Sequence, residues 1–143
     1  MKIAIGNDHA AVALKHHIVK YLQEKGHEVL NLGIDVVERT DYPLRGEEVA
    51  KVVAAGQAER GIVICGTGIG ISITANKVPG IHAALCSDCF SAQATREHNN
   101  ANVLALGARV LGEGLALKIV DTFLDTEFSN DERHIRRISM IEG

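Results

Sequence analysis

Tryptophan is absent from this chain and aromatic residues make up only 3% of it, although 46% of its residues are hydrophobic. Its core must therefore be filled by Ala, Val, Ile and Leu, as in the layers of α/β proteins. No apolar run approaches the roughly 20 residues that a membrane span requires. A net charge of −3 removes the electrostatic case for nucleic acid or an anionic membrane as the main partner. There are 2 prolines and no Pro/Ser-rich linker, low-complexity stretch or short-period repeat, so residues 1–143 read as a single domain. The first strand begins at once, at Lys2, without signal-peptide anatomy. Together with 3 cysteines read as free thiols, this predicts a cytoplasmic protein.

What is present is an alternation of strand and helix signals with short connections. The pattern predicts strands over Lys2–Ile5, His27–Leu32, Ile62–Ile64, Gly80–Leu85 and Asn102–Leu106. Helices are expected over Ala10–Lys25, Pro43 to about Gln57, from the glycine turn to about Asn76, and over Ser87–Asn99, Val110–Leu124 and Asp131–Ile141. Such an order predicts a three-layer α/β/α sandwich around a five-stranded parallel, Rossmann-like sheet, with an extra C-terminal helix.

Several well-known signatures are missing. The chain has no G-x-x-x-x-G-K-[ST], which excludes a P-loop NTPase. A dinucleotide fingerprint needs a third glycine after Gly70, where Ile71 stands. A receiver-type signalling domain needs an Asp at the end of the third strand, and that position is Cys65. Cys86 and Cys89 form a C-x-x-C, but no second pair exists to complete a zinc site, so they read as packing residues or, less well, as a redox pair.

The stretch Ile62-Val-Ile-Cys-Gly-Thr-Gly-Ile-Gly-Ile71 is instead a strand running into a glycine-rich turn and a helix. Backbone N–H groups left unpaired there favour a phosphate or an oxyanion, and Cys65 stands at its lip. In parallel sheets ligands sit beyond the carboxyl ends of strands. Asp8 and His9 follow the first strand, Thr67 lies in the turn, and Arg109 follows the fifth; neighbouring first and third strands would bring Asp8, His9, Cys65 and Thr67 into one crevice. Asp8 is equally an ordinary helix N-cap. Arg133 and Arg137, four apart on the last helix, form a candidate phosphate clamp. Asp131 would cap that helix and Ile135, Ile138 and Ile141 would provide its apolar contact, possession of no strand of its own suiting it to lie on a partner subunit.

Taken together, Gly6-Asn-Asp-His9, Glu38-Arg-Thr-Asp-Tyr-Pro43, Ile64-Cys-Gly-Thr-Gly-Ile-Gly-Ile-Ser72, Ala75-Asn-Lys77, His98-Asn99, Asn102-Val-Leu-Ala105 and Gly107-Ala-Arg109 resemble the ribose-5-phosphate isomerase B family, which also holds allose- and galactose-6-phosphate isomerases. The resemblance covers nearly the whole chain. It implies an aldose–ketose isomerase without metal or other cofactor, acting on a sugar phosphate as a homodimer, or a tetramer, with sites shared between subunits. It further implies Cys65 as the base moving a proton between C2 and C1, and the amides of Gly66, Thr67, Gly68, Ile69 and Gly70 as holders of the enediolate oxygens. Thr67 would bind or relay there, His98 would open the sugar ring, and Asp8 and Asn99 would hold hydroxyls. His9, Arg109, Arg133 and Arg137 would take the phosphate, with Arg136 as substitute for Arg137. Another branch of the family carries a Glu base at the position of Ile71 and Ser at that of Cys65, so this chain falls with the Cys type. Ribose 5-phosphate is the default substrate; a six-carbon phosphate needs a longer crevice, with Leu44-Arg45-Gly46 as one wall. A non-catalytic sugar-phosphate-binding module is the rival reading.

Overall fold

Five aliphatic runs pair in parallel in the computed structural model, which describes residues 1–143. Strands β1 (Lys2–Asn7), β2 (Glu28–Asn31), β3 (Arg60–Cys65), β4 (Ala83–Leu85) and β5 (Val103–Gly107) lie in the order β2-β1-β3-β5-β4. Helices α1 (Val12–Glu24), α4 (Cys89–Asn99) and α5 (Glu113–Asp125) cover one face, and α2 (Tyr42–Ala54) and α3 (Ile69–Ala75) the other. The last helix, α6 (Glu132–Glu142), packs beside α4. This is the three-layer α/β/α sandwich that the strand–helix alternation predicts.

Side chains alternate along a strand, and the two faces of this sheet are filled differently. Ile3, Ile5, Ile62, Ile64, Leu104 and Leu106 point into the three-helix layer and are fully buried. Burying each such side chain contributes about 1.5–3 kcal/mol. The other face presents Ala4, Val63, Val103 and Ala105, with Gly6 and Gly61 among them. A Cβ on Gly6 or on Gly61 would lie 2.7 Å from a Val49 methyl, so α2 rests almost on the strand backbone. That close approach carries the N-terminus of α2, with Tyr42, to the carboxyl edge of the sheet.

The chain runs from β1 outward to β2 and then back past β1 to β3. Winding reverses between β1 and β3, where flanking connections diverge to opposite faces and leave a crevice at the strand ends.

Local departures from the expected elements have identifiable causes. A single 3-10 turn, His9–Ala11, capped by Asp8, precedes α1. α5 begins at Glu113 because the N–H groups of Val110 and Leu111 both turn back to the Gly107 carbonyl, at 3.1 and 3.0 Å. β4 is shorter than expected because the Asn102 side chain accepts from the His82 N–H at 2.9 Å and donates to the Gly80 carbonyl at 2.9 Å, replacing ladder bonds. Lys15, a charge in the helical pattern, is fully buried, donating to Asn31 Oδ1 at 3.0 Å and pairing with Asp35. The Lys15 ammonium, with Asn31 and His16, holds the Asp35 carboxyl far below the usual carboxylate range, and the loop after β2 is thereby fastened to α1.

Candidate active site

Cys65 is the last residue of β3, paired with Gly107 of β5. It is 5% exposed, its side chain packed on the two-helix face, yet it lines a cavity of about 490 Å³ with Asp8, Tyr42, Gly66, Thr67 and Arg109 among others. The Gly68 N–H donates to Cys65 Sγ at 3.1 Å, which fixes the sulfur under the turn. Ile69 N–H is taken by Thr67 Oγ1 at 3.2 Å. The N–H groups of Gly66, Thr67 and Gly70 make no hydrogen bond within the protein. Of the five amides from Gly66 to Gly70, Gly68 and Ile69 are thus occupied, and Gly66, Thr67 and Gly70 are the free donors.

Each glycine of the turn answers a separate demand. Gly66 lies under the Arg109 guanidinium, with a Cβ there 3.1 Å from Nη1. Gly68 has φ +80°, and its Cβ would meet the Leu106 carbonyl carbon at 2.8 Å. Gly70 faces the Tyr42 ring, which a Cβ would strike at 2.5 Å. The third glycine, out of step with a dinucleotide fingerprint, is thus explained by an aromatic side chain. Tyr42 and Ile73 also line this cavity; Tyr42 stands within the Glu38–Pro43 motif, but neither residue was given a site role by sequence. Leu44, Arg45 and Gly46 do not line it: Arg45 pairs with Glu48 and Gly46 packs on Ile71, so Tyr42 takes the wall position assigned to them.

Asp8 is both cap and cavity wall. Its Oδ1 accepts from the Ala10 N–H at 3.0 Å, its residue is 6% exposed, and it lines the Cys65 cavity. The expected pairing of β1 with β3 holds and places Asn7 beside Ile64. His9 opens instead onto an adjoining cavity with Arg39, Thr40 and Asp41, where its Nδ1 accepts the Thr40 N–H at 3.4 Å.

The remaining candidates are elsewhere on the chain. His98, Asn99, Arg133 and Arg137 line a second cavity, of about 370 Å³, together with His134. α4 runs back from the carboxyl edge of the sheet for 11 residues, about 16 Å, so its end carries His98 and Asn99 to the opposite edge from Cys65. Arg136 does not line this cavity, and Arg137 does. The His98 and His134 rings lie 4.5 Å apart. His134 meets Ser129 Oγ through Nδ1 at 2.8 Å and accepts from Arg133 Nε at Nε2, at 3.4 Å. Burial first, then the nearby His98 and Arg133, lowers its pKa and favours the neutral ring. Its position after Arg133 gave no periodic signal.

Asp131 caps α6 as expected, accepting from the Arg133 N–H at 2.9 Å. The apolar contact expected of Ile135 and Ile141 is not made within the chain: they are 46% and 69% exposed, because α6 touches only the edge of the molecule. Cys86 is 1% exposed in the core, where burial and Asp88 push its thiol up to about 11, and Cys89 packs against the same cluster. That places the pair as packing residues and argues against an exchange-active thiolate. No group of three or more His, Cys, Asp or Glu side chains is arranged to hold a metal ion. No helix is long and apolar enough to cross a membrane.

The chain that carries this cavity is similar over nearly its whole length to known proteins. Residues 3–141 match the family model described as Ribose/Galactose Isomerase. The chain is 51% identical to Ribose-5-phosphate isomerase B of Escherichia coli over 140 residues, covering 98% of this chain and 93% of that one. It is 50% identical to the D-erythrulose-4-phosphate isomerase of Pectobacterium atrosepticum, covering 90% and 85%. The solved Ribose-5-Phosphate Isomerase B of Clostridium thermocellum superposes with a TM-score of 0.97 at 53% identity, covering 99% of this chain and 95% of that one. The chain therefore belongs to the ribose/galactose isomerase family of sugar-phosphate isomerases.

Proposed function

We propose that this chain interconverts ribose 5-phosphate and ribulose 5-phosphate through an enediolate, with Cys65 as the base. The observation that carries the reading is the cavity where Cys65 Sγ adjoins the free amides of Gly66, Thr67 and Gly70 beneath Arg109. The cysteine sulfur takes the proton from C2 of the open aldose. The C2 electron pair forms the C1–C2 double bond, and negative charge moves to the C1 oxygen, where the amides hold it. Thr67 passes a proton between the two oxygens; return of a proton from sulfur to C1 leaves the carbonyl at C2. A positioned base is worth about 10²–10⁴ in rate and each preorganised oxyanion donor about 10²–10³.

The sugar arrives mostly as a closed ring, and opening it is the role proposed for His98, with Asn99 on a hydroxyl and Arg133 and Arg137 on the phosphate. Asp8 holds a hydroxyl beside Cys65, and Arg109 and His9 attract the phosphate from their side. Since His98 and Cys65 lie at opposite edges of one chain, the reading includes a homodimer in which one subunit's His98 serves its partner's Cys65. The exposed α6 face, with Ile135 and Ile141, supports such an association. Free thiols support the reading of a reducing, cytoplasmic setting. No step calls for a metal or a nicotinamide.

The test is turnover in D2O of ribose 5-phosphate, allose 6-phosphate and galactose 6-phosphate in parallel, with product analysed at C1. The reading expects fastest turnover of the pentose and solvent deuterium at C1. A preference for a hexose phosphate moves the substrate to six carbons, and binding of all three without turnover favours the non-catalytic sugar-phosphate-binding module. Deuterium at C1 supports the enediolate route; product without deuterium together with undiminished turnover in Cys65→Ala removes it.

A further inference from the structure

Arg96 is 2% exposed, and none of its hydrogen-bond partners is a carboxylate. Its Nε donates to the Thr126 carbonyl at 3.0 Å, and its Nη1 donates to Asn100 Oδ1 at 2.9 Å and to the Ala101 carbonyl at 2.6 Å. The guanidinium carbon lies 5.8 Å from the centre of the Phe123 ring. A buried cation without an anion is normally costly. Here the C-termini of two helices supply the missing negative charge. Asn100 is the C-cap of α4 and Thr126 the C-cap of α5, and helix C-termini carry partial negative charge and unpaired carbonyls. Burial, with the Arg60 charge second, lowers the Arg96 pKa to about 10, which leaves it charged at neutral pH.

The position of this double cap in the chain gives it a consequence for the site. One arm holds the turn that ends α4 immediately after His98 and Asn99. The other holds the segment leading from α5 into α6, whose Ser129 N–H reaches back to the Glu97 carbonyl at 3.2 Å and whose Ser129 Oγ meets His134. We propose that Arg96 is a positioning residue: by capping α4 and α5 together it sets the His98–Asn99 turn in register with the helix that carries Arg133 and Arg137. Arg96 lines neither cavity and touches no substrate in this scheme. The functional consequence rests on the proposed role of those residues as one half of the isomerase site; the structural claim does not.

Arg96→Lys keeps the charge but offers no planar fork to reach two chain segments at once. Amide hydrogen exchange is expected to rise about tenfold or more across residues 126–142 and to stay unchanged across residues 60–75. On ribose 5-phosphate, kcat/KM should fall about 10–100-fold, as for misplaced groups, while alkylation of Cys65 by iodoacetamide proceeds at the wild-type rate. Exchange that rises equally in both segments, or in neither, overturns the proposal, and so does equal loss of turnover and of Cys65 reactivity. Should Arg96→Lys fail to fold, Asn100→Gly serves: glycine accepts the left-handed φ of 49° and removes only the acceptor oxygen. The same segmental exchange at smaller size supports the proposal, and its absence overturns it. A wild-type chain inactive on every sugar phosphate would defeat the isomerase reading, with the exchange pattern still deciding the role of Arg96.

Discussion

The two cavities that hold the candidate residues are made from different materials. Around Cys65 the walls are strand ends and a turn whose backbone is pinned at Gly68, Gly70 and Gly107; a Cβ on Gly107 would lie 2.6 Å from the Thr67 carbonyl oxygen. Around His98 the walls are helix ends, with the exposed cations Arg133 and Arg137 on α6, a helix that packs on the rest of the chain along one edge only. The first cavity is suited to holding atoms that must not move by an ångström while charge forms on oxygen. The second is suited to gripping a phosphate and exchanging protons at a hydroxyl, tasks that tolerate more motion. On the proposed mechanism neither can turn over ribose 5-phosphate alone, and a second copy of the chain joins them.

The largest effect should come from the rigid side. Cys65→Ala is expected to lower kcat by about 10³ or more while the apparent affinity for sugar phosphate, measured by calorimetry, stays within about threefold. Retention of most of the rate would transfer the base to another group. A mixture then tests the division between subunits directly. Cys65→Ala and His98→Gln chains, each inactive alone, should recover about a quarter of wild-type activity after mixed refolding, because about half of the dimers are mixed and each of those has one intact site. No recovery would place both residues' work within one chain. His98→Gln sharpens the contrast in another way. It should lower ribose 5-phosphate turnover about 10²–10³-fold. Turnover of D-erythrose 4-phosphate should be spared, because that sugar's 4-hydroxyl is esterified and cannot close a furanose ring. Equal losses on both substrates would move His98 from ring opening to the proton transfer itself. More modestly, Arg137→Ala should raise KM about tenfold with kcat nearly unchanged, a uniform loss of phosphate binding; an unchanged KM would shift the clamp to Arg133 or Arg109.

The same division governs what could be read in the sequence. Strand–helix alternation gave the layers, and β-branched runs ending on Cys65 and glycines gave the rigid cavity, because adjacent residues build it. Tyr42 was not legible as a wall, since it reaches the turn only through the close approach of α2 over Gly6 and Gly61, a contact between distant segments. Lys15 and Arg96 look like surface charges in a helical pattern; their burial depends on Asp35 and on two helix C-caps that no periodicity announces. His98 precedes β5 in the chain but lies at the other edge, because a helix must run back across the sheet before that strand begins. The exposed isoleucines of α6 follow from the same limit, as an amphipathic pattern records that a face is to be covered and not by which chain.

The smallest expected effect concerns the joint between α6 and the rest of the molecule. His134 is held neutral by burial, by the nearby His98 and by Arg133, with its pKa below the ordinary value of 6.5. Its depressed pKa means that the unfolded chain takes up a proton, as pH falls through about 6.5, that the folded chain takes up only at lower pH. Stability contributed by the neutral ring is therefore complete above that value and lost progressively below it, down to the folded pKa. Denaturant midpoints measured from pH 7.5 to pH 5 should accordingly decline for the wild type, and His134→Gln should flatten part of that decline while leaving the behaviour above pH 7 little changed. A slope identical in the two proteins would show that the ring titrates alike folded and unfolded, and would leave the Ser129 and Arg133 contacts without the energetic role that their geometry assigns to them.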